Sequence, residues 1–431
     1  MKTSRTNKRW LSALALACGV AGAATAQTTD AQRIADLERR LESLMLRLQQ
    51  VEARPADAAA PRSAADAAAT APPSVAPPVP SAALSAVALV RPGETGLPIR
   101  AFIDIGYARD KPDAHGRHGG FGLGNLNLYM TPSFGENIKS IVELVFEQDP
   151  DGALLIDLER VQLGYTFSDA LTLWGGRFHT PFGYWNAAFH HGAQIQTSVL
   201  RPRFLGFEDQ GGVLPVHGVG LLGSGSVALA GGRLKYDLYV ANGTPVVDGV
   251  LEASGFKDDN RDKMVGGNLR HEFGGGLAGL TLGVHALTAQ VRSEDAAGLE
   301  TARTRLSMGG VFAVYEREPW ELIGEYYAFR NRDLLGGSGR HASWAGYVQA
   351  GYAFGPGLTV YGRAEQAEFD QTDAYFASMN AGRSYRRASV GLRHDFNVTT
   401  ALKFEFLRTN ETQGAVEARS NGVRGQVAVR F

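Results

Sequence analysis

The stretch between positions 179 and 216 of the chain contains three histidines, two arginines and two adjacent acids. Arg201-Pro202-Arg203 places two cations on a turn that proline stiffens, and Glu208-Asp209 supplies two anions a few residues later. Opposed pairs of fixed charges orient charged or dipolar solutes that pass between them. We therefore expect Arg201, Arg203, Glu208 and Asp209 to act on a small solute.

Four histidines bracket the same stretch: His179, His190, His191 and His217. Imidazole is a common metal ligand, so each is a candidate for zinc or copper. His190 and His191 are adjacent, however, and in an extended chain adjacent side chains point in opposite directions. Their spacing lacks the ExxH and HxxxH patterns, which favours hydrogen bonding within the loop. The sequence therefore predicts neither a metal nor another cofactor.

An enzyme is not predicted, because the chain has no GxSxG motif and no Ser/His pair with a recognisable orienting group. The 43 Lys+Arg residues are balanced by 44 Asp+Glu, which excludes a strongly basic nucleic-acid-binding protein. The single cysteine, Cys18, lies in the N-terminal export signal. The mature chain is thus expected to contain no zinc ribbon, disulfide framework or cysteine nucleophile.

The N-terminal region divides into three segments. Residues 1–26 have the basic, apolar and Ala-x-Ala features of a signal peptide, so the mature chain is expected to begin at Gln27. The alternative is lipid attachment at Cys18. Residues 27–53 are expected to form a periplasmic coiled coil, and residues 54–97 an Ala/Pro-rich linker. The heptad seam of the coiled coil is formed by Ile34, Leu37, Leu41, Leu44, Leu48 and Val51; the alternative is a single amphipathic helix that packs on another surface.

The residue pattern changes at position 98. From there, apolar residues alternate with polar or small ones in stretches of about ten residues. Leu402, Phe404 and Phe406, for example, alternate with Lys403 and Glu405. Such a period of two residues indicates strands with one apolar face and one face in contact with water.

Seven short turns alternate with eight longer connections, one of them near Thr412–Arg419, and together they join sixteen strands. An even strand number with short and long connections at opposite rims is typical of outer-membrane barrels. The predicted fold is therefore all-β, an antiparallel transmembrane β-barrel of about 16 strands over residues 98–431. A secreted soluble β-sandwich or a multi-blade β fold is the alternative, although the strands of those folds are usually shorter. The last strand ends at Phe431, and a terminal aromatic residue resembles the signal that barrels present to their assembly machinery.

Alternation also predicts which charges face the lumen: eleven bases and nine acids, a small cationic excess that implies weak anion preference. A β-bulge would reverse the face of every residue beyond it. The predicted bases are Arg100, Arg160, Lys235, Arg270, Arg305, Arg363, Arg387, Arg393, Lys403, Arg424 and Arg430. The predicted acids are Asp104, Glu143, Glu147, Asp237, Glu321, Glu325, Glu365, Asp395 and Glu405. Interface aromatic girdles are expected to include Tyr129, Tyr165, Trp174, Tyr236, Trp320, Tyr352 and Phe431.

The segment Trp174-Gly175-Gly176-Arg177-Phe178-His179-Thr180-Pro181-Phe182-Gly183 resembles the Gly-[Arg/Lys]-Phe-x-x-Pro-Phe-Gly segment of the phosphate-selective porin O and P family. The N-terminal coiled coil resembles that of trimeric porins associated with dicarboxylate uptake. These resemblances imply a sixteen-stranded trimer and passive uptake of small, often anionic, solutes. They add Arg177 to the selectivity candidates.

The resulting expectation is an outer-membrane porin, a homotrimer in the lipid bilayer that passes small anionic or neutral solutes. The selectivity candidates are Arg177, Arg201, Arg203, Glu208, Asp209, Arg363, Arg387 and Arg393. The alternative is a structural or adhesion barrel whose lumen is plugged.

Overall fold

Sixteen long strands follow one another along the part of the chain that the structure describes, and each pairs with its sequence neighbours. The structure is a computed structural model, and it describes residues 99–112, 119–148, 153–189, 192–208, 210–252, 262–413 and 416–431. The predicted signal peptide, coiled coil and linker, as well as His190, His191 and Asp209, lie outside these residues. Among the described residues, no helix is long and apolar enough to cross a membrane.

The strands are β1 (Ile99–Lys111), β2 (Gly120–Met130), β3 (Ile138–Gln148), β4 (Leu154–Ser168), β5 (Leu171–His179), β6 (His217–Leu229), β7 (Gly232–Ala241), β8 (Met264–Phe273), β9 (Leu280–Glu294), β10 (Glu300–Arg317), β11 (Trp320–Asp333), β12 (Arg340–Ala353), β13 (Leu358–Glu368), β14 (Ser384–Asn397), β15 (Thr400–Gln413) and β16 (Val416–Arg430). Short helical segments are α1 (Trp185–Ala188), α2 (Ala374–Ala377) and the 3₁₀ turns Arg203–Leu205 and Gly275–Leu277. Three two-residue strands, Ser133–Phe134, Val246–Val247 and Val250–Leu251, lie within connections.

The sheet closes on itself because β1 pairs antiparallel with both β2 and β16. Ile105 lies opposite Val427 across the closing seam. Beyond Arg430, the Phe431 N–H donates to Ala101 O and Phe431 O accepts from Ala101 N–H. The predicted all-β antiparallel barrel of sixteen strands is confirmed.

Outward side chains on the barrel are apolar and exposed, among them Ile105, Leu238, Val348, Phe404 and Val427. The exposed Trp320 packs edge-to-face on the half-buried Tyr352, with ring centroids 4.7 Å apart, beside a short turn. Tyr129, predicted for the same girdle, is instead buried against Phe102. The outer surface of the barrel is therefore an apolar band with aromatic residues at its rim.

The strands contain nine to eighteen residues, more than the predicted ten in most cases. Consequently, some connections predicted to be long are short. β15 reaches Gln413 and β16 begins at Val416, so the long connection expected near Thr412–Arg419 is only residues 414–415. Continued ladder hydrogen bonding is the reason, because each added pair satisfies backbone groups that a loop would leave to water.

The connection from β5 to β6, residues 180–216, folds into the barrel, and we call it the long loop. Its aromatic side chains pack against inward residues of the wall to form an apolar core inside the barrel. Trp185 packs edge-to-face on Tyr347, and Phe204 packs on Tyr327. The loop between β13 and β14 adds α2, whose Tyr375 hydroxyl donates to Val213 O of the long loop at 2.7 Å.

Of the two glycines before Arg177, Gly176 occupies the position that only glycine can fill. Its φ is +130°, and a Cβ there would lie 2.0 Å from Val161 O on β4. The preceding Gly175 has room, since its Cβ would meet only the Leu221 side chain, at 3.6 Å. The close approach of β5 to β4 thus requires glycine at 176 and not at 175.

We therefore expect Gly176→Ala to destabilise the barrel by about 1–3 kcal/mol, the cost of a strained backbone position, and Gly175→Ala to leave it nearly unchanged. Urea unfolding of detergent-solubilised protein, followed by tryptophan fluorescence, measures both. Equal unfolding midpoints for the two variants would contradict this explanation.

Candidate functional site

A buried carboxylate of the wall holds the start of the long loop. Glu325 on β11 accepts the backbone N–H groups of Tyr184 at 2.8 Å and Trp185 at 2.7 Å. It also accepts the hydroxyls of Tyr327 at 2.8 Å and Tyr347 at 2.5 Å. Four donors satisfy this charge, and they fix α1 against the wall.

Gly183 makes this contact possible. Its φ is +62°, and a Cβ would lie 2.0 Å from the Tyr327 hydroxyl and 2.2 Å from Glu325 Oε2. A side chain at 183 would therefore displace the residues that receive the loop. The Pro-Phe-Gly end of the motif thus has a physical function, which is to bring the backbone close to the wall.

Three further wall acids receive the middle of the loop. Glu405 on β15 accepts Val199 N–H at 3.0 Å, and Glu365 on β13 accepts Arg203 N–H at 2.7 Å. Glu321 on β11 accepts the Thr197 hydroxyl at 2.6 Å. These acids were predicted to face the lumen, and they do so by binding the loop.

Wall cations bind the loop carbonyls in the same way. Arg363 on β13 donates to Leu200 O at 2.8 Å and to Arg201 O at 3.2 Å, and it pairs with Glu365 at 2.9 Å. Arg393 on β14 donates to Gln196 O at 2.8 Å, and Lys403 on β15 donates to Ala193 O and Ser198 O.

This placement differs from the expectation for Arg363 and Arg393, both of which were selectivity candidates. Arg363 is covered by the loop, and Arg393 forms a bidentate pair with Asp395 at 2.7–3.1 Å. Beneath the loop, both guanidinium groups bind carboxylates and loop carbonyl groups, so these two arginines anchor the loop.

An open space of about 400 Å³ lies on the other side of the long loop, between the loop and strands β1, β2, β14 and β16. Among the described residues, its lining contains three arginines, Arg201, Arg203 and Arg387, and one acid, Asp104. Neutral polar groups complete the wall side: Asn125, Asn127 and Gln426. The space is therefore polar, and positive charges predominate.

The loop arginines are held in place by their neighbours. The guanidinium of Arg201 stacks 3.9 Å from the Phe207 ring centroid and donates to Asn186 Oδ1 at 3.1 Å. Arg203 pairs with Glu411 at 2.5 Å and lies 4.8 Å from the Tyr385 ring centroid.

Across the space, Asp104 accepts Gln426 Nε2 at 2.9 Å and Asn125 N–H at 3.1 Å. Arg387 donates to Thr409 Oγ1 at 3.1 Å. Charges on both sides of the space are thus fixed in position, as a selective site requires.

Glu208 lies away from this space, close to the two ends of the long loop. We call this region the neck; there β5 ends at His179 and β6 begins at His217. Glu208 accepts the N–H groups of Val216 at 2.6 Å and His217 at 2.9 Å, and it meets His217 Nδ1 at 3.0 Å. Burial raises the pKa of the Glu208 carboxyl, but His217 and these donors outweigh burial and hold that pKa below its ordinary value. Arg177 is also at the neck, where its Nε donates to Glu159 O at 3.0 Å.

Sequence reasoning missed Glu159 as an inward residue. The β3–β4 register places Glu143 opposite Arg160 and then Leu144 opposite Leu158, so Glu159 is the extra residue of a bulge, and its side chain is buried. Alternation carries no signal for this extra residue. Arg305 was also misplaced: its neighbours Thr304 and Leu306 are the buried residues, and Arg305 is exposed on the opposite face.

No family model and no curated protein sequence matches the chain. Solved structures of outer-membrane porins do match it. An anion-selective porin from Comamonas acidovorans has a TM-score of 0.54 and 15% identity, with 78% of this chain and 99% of that chain covered. The outer-membrane channel DcaP of Acinetobacter baumannii and OmpF of Salmonella typhi in complex with daunomycin each have a TM-score of 0.51 and 12% identity. Each covers 78% of this chain and 97% of its own. At these identities the chain shares their barrel fold.

We expect Glu325→Ala to release the start of the long loop, because the buried amides of Tyr184 and Trp185 would lose their acceptor at about 1–3 kcal/mol each. Limited proteolysis of the folded protein should cut residues 180–216 faster, and thermal unfolding should begin at a lower temperature. Glu368→Ala is the control, since Glu368 is an exposed wall acid bonded to Trp344 and Gln366. Equal cleavage of the two variants would show that Glu325 does not hold the loop.

Proposed function

We propose that the chain is an outer-membrane porin, a passive diffusion channel for small hydrophilic solutes that weakly favours anions such as phosphate or carboxylates. The observation that carries this proposal is the open space beside the long loop, lined by Arg201, Arg203, Arg387 and Asp104. The apolar outer band supports a membrane location, because an exposed apolar surface of this extent is unfavourable in water.

The anion preference follows from the position of the charges and not from their total number. Charges beneath the loop are neutralised in pairs and by backbone groups, whereas Arg201 and Arg387 face the open space. A unit charge about 4 Å from a monovalent anion stabilises it by about 1 kcal/mol even at the dielectric constant of water, a factor of about five in occupancy. Charges farther away than about 8–10 Å are largely screened at physiological salt.

The second candidate is a structural or adhesion barrel with a plugged lumen. It is supported by the apolar core inside the barrel, in which the long loop and the α2 loop pack against strands β5 to β14. The two proposals differ in whether ions pass beside the loop.

A planar bilayer experiment under a KCl gradient separates them. We expect wild type to give a reversal potential of the sign set by chloride permeation, and Arg201→Ala/Arg203→Ala to move it towards the potassium side by a permeability ratio of about fivefold or more. Arg419→Ala is the control, because Arg419 is exposed and pairs with Glu417 outside this space.

A cation-selective wild type would contradict the anion preference. An unchanged potential in the double variant would show that the loop arginines do not set it. Absence of current through inserted wild-type protein would favour the structural barrel.

We further propose that the mature chain is a homotrimer, extended by a parallel coiled coil at residues 27–53 on the periplasmic side, and that the assembly machinery recognises Phe431. The heptad seam from Ile34 to Val51 supports the coiled coil. Three heptads are short for an independent coiled coil, so the barrel is expected to supply most of the association.

Deleting residues 27–53 should therefore leave a trimeric but shorter particle. Light scattering in mild detergent gives the mass of both forms, and small-angle scattering gives their length. A monomer for the full-length mature chain would contradict the proposal.

A further inference from the structure

The neck of the long loop brings two histidines and a glutamate together. His179 is the last residue of β5 and His217 the first of β6; they are register partners, and their rings lie 5.3 Å apart. Glu159 projects from β4 beside them. One ligand atom from each of the three residues lies within 4.8 Å of the other two. This group is enclosed by the barrel wall, because Glu159 and His217 are buried and the side chain of His179 is only 10% exposed.

His217 is oriented by a carboxylate behind it. Glu208 faces Nδ1 at 3.0 Å, and Nε2 faces Glu159 Oε2 at 2.5 Å. With its proton on Nδ1, the imidazole donates to Glu208 and directs the Nε2 lone pair at the group. Metal-binding histidines typically have such a carboxylate on the nitrogen that does not bind the metal.

The bulge in β4 supplies the third ligand. A regular register would have turned Glu159 outwards, next to the inward Arg160. The bulge places both inside, where Arg160 pairs with Glu143 at 2.5 Å. Glu143 Oε2 also lies 3.5 Å from His179 Nε2, so a second carboxylate borders the group.

We propose that Glu159, His179 and His217 bind one divalent transition-metal ion, with zinc as the best match, and that Glu208 is the carboxylate orienting His217. Two imidazoles and one carboxylate are a typical zinc ligand set, whereas calcium and magnesium prefer oxygen ligands alone. Zinc bonds of about 2.0–2.2 Å in a tetrahedron place ligand atoms about 3.3–3.6 Å apart. In this geometry the contact between His217 Nε2 and Glu159 Oε2, now 2.5 Å, has to open by about 1 Å.

Metal at this position would join the two ends of the long loop. Its ligands come from β4, β5 and β6, three adjacent strands, and the loop leaves the wall directly after His179 and rejoins it at His217. The ion therefore has a structural role, which is to keep the neck closed beneath the loop that narrows the barrel.

The competing explanation is a protonated His217 paired with Glu159 and Glu208, which needs no metal. Untagged protein purified in detergent, stripped with a chelator and dialysed against zinc, distinguishes the two by mass spectrometric metal analysis. We expect about one zinc per wild-type chain and none in His179→Ala/His217→Ala. The matched control is His271→Ala/His394→Ala, which removes two histidines that pack edge-to-face on Phe273 and Phe396 elsewhere on the wall.

Two further measurements keep the outcome independent of folding defects. Cobalt added to stripped wild type should give the visible absorption of a four-coordinate site. Glu208→Gln, which retains the shape of the orienting group, should weaken zinc binding by about 10–100-fold. Absence of stoichiometric zinc in wild type, equal zinc in the neck double variant, or equal loss in the control double variant would overturn the proposal.

Discussion

The rest of the structure depends on satisfying the backbone of the long loop inside the barrel. None of the described residues of this segment belongs to a strand, so their N–H and C=O groups need other acceptors and donors wherever water is excluded. The wall provides them as full charges. Glu325, Glu365 and Glu405 accept loop N–H groups, while Arg363 and Lys403 donate to loop carbonyls. Each contact offsets two desolvation costs, because a buried charge and a buried peptide group become hydrogen-bond partners.

The barrel could be predicted from the sequence because its determinants are local. Alternation marks the strands, and the turn positions give their number, so sixteen strands and the inward direction of Glu325, Glu365 and Glu405 followed directly. The sequence could not predict which inward charges bind the loop and which line the open space, because this depends on the side of the barrel against which the loop packs. Nothing in the sequence distinguishes Arg363 from Arg203. Arg363 nevertheless lies beneath the loop, whereas Arg203 borders the open space.

Two further differences have separate causes. Glu159 turns inwards through the single extra residue of a bulge, whereas Arg305 faces outwards in regular register because the inward positions of β10 are taken by Thr304, Leu306 and Met308. Bulges change pairing by one residue, and nothing in the side-chain alternation marks where they occur. Apolar packing inside the barrel was also not predicted, because the aromatic residues of the loop gave no indication whether they would meet solute or protein.

The uneven filling of the lumen separates the molecule into two sectors with different tolerance to change. Strands β11 to β15 supply the groups that bind the loop, whereas Asp104, Asn125, Asn127 and Gln426 on β1, β2 and β16 supply one side of the open space. Substitutions that share no partner combine additively. Under the proposed channel function, solute preference is therefore adjustable through the residues at the closing seam without disturbing the residues that anchor the loop.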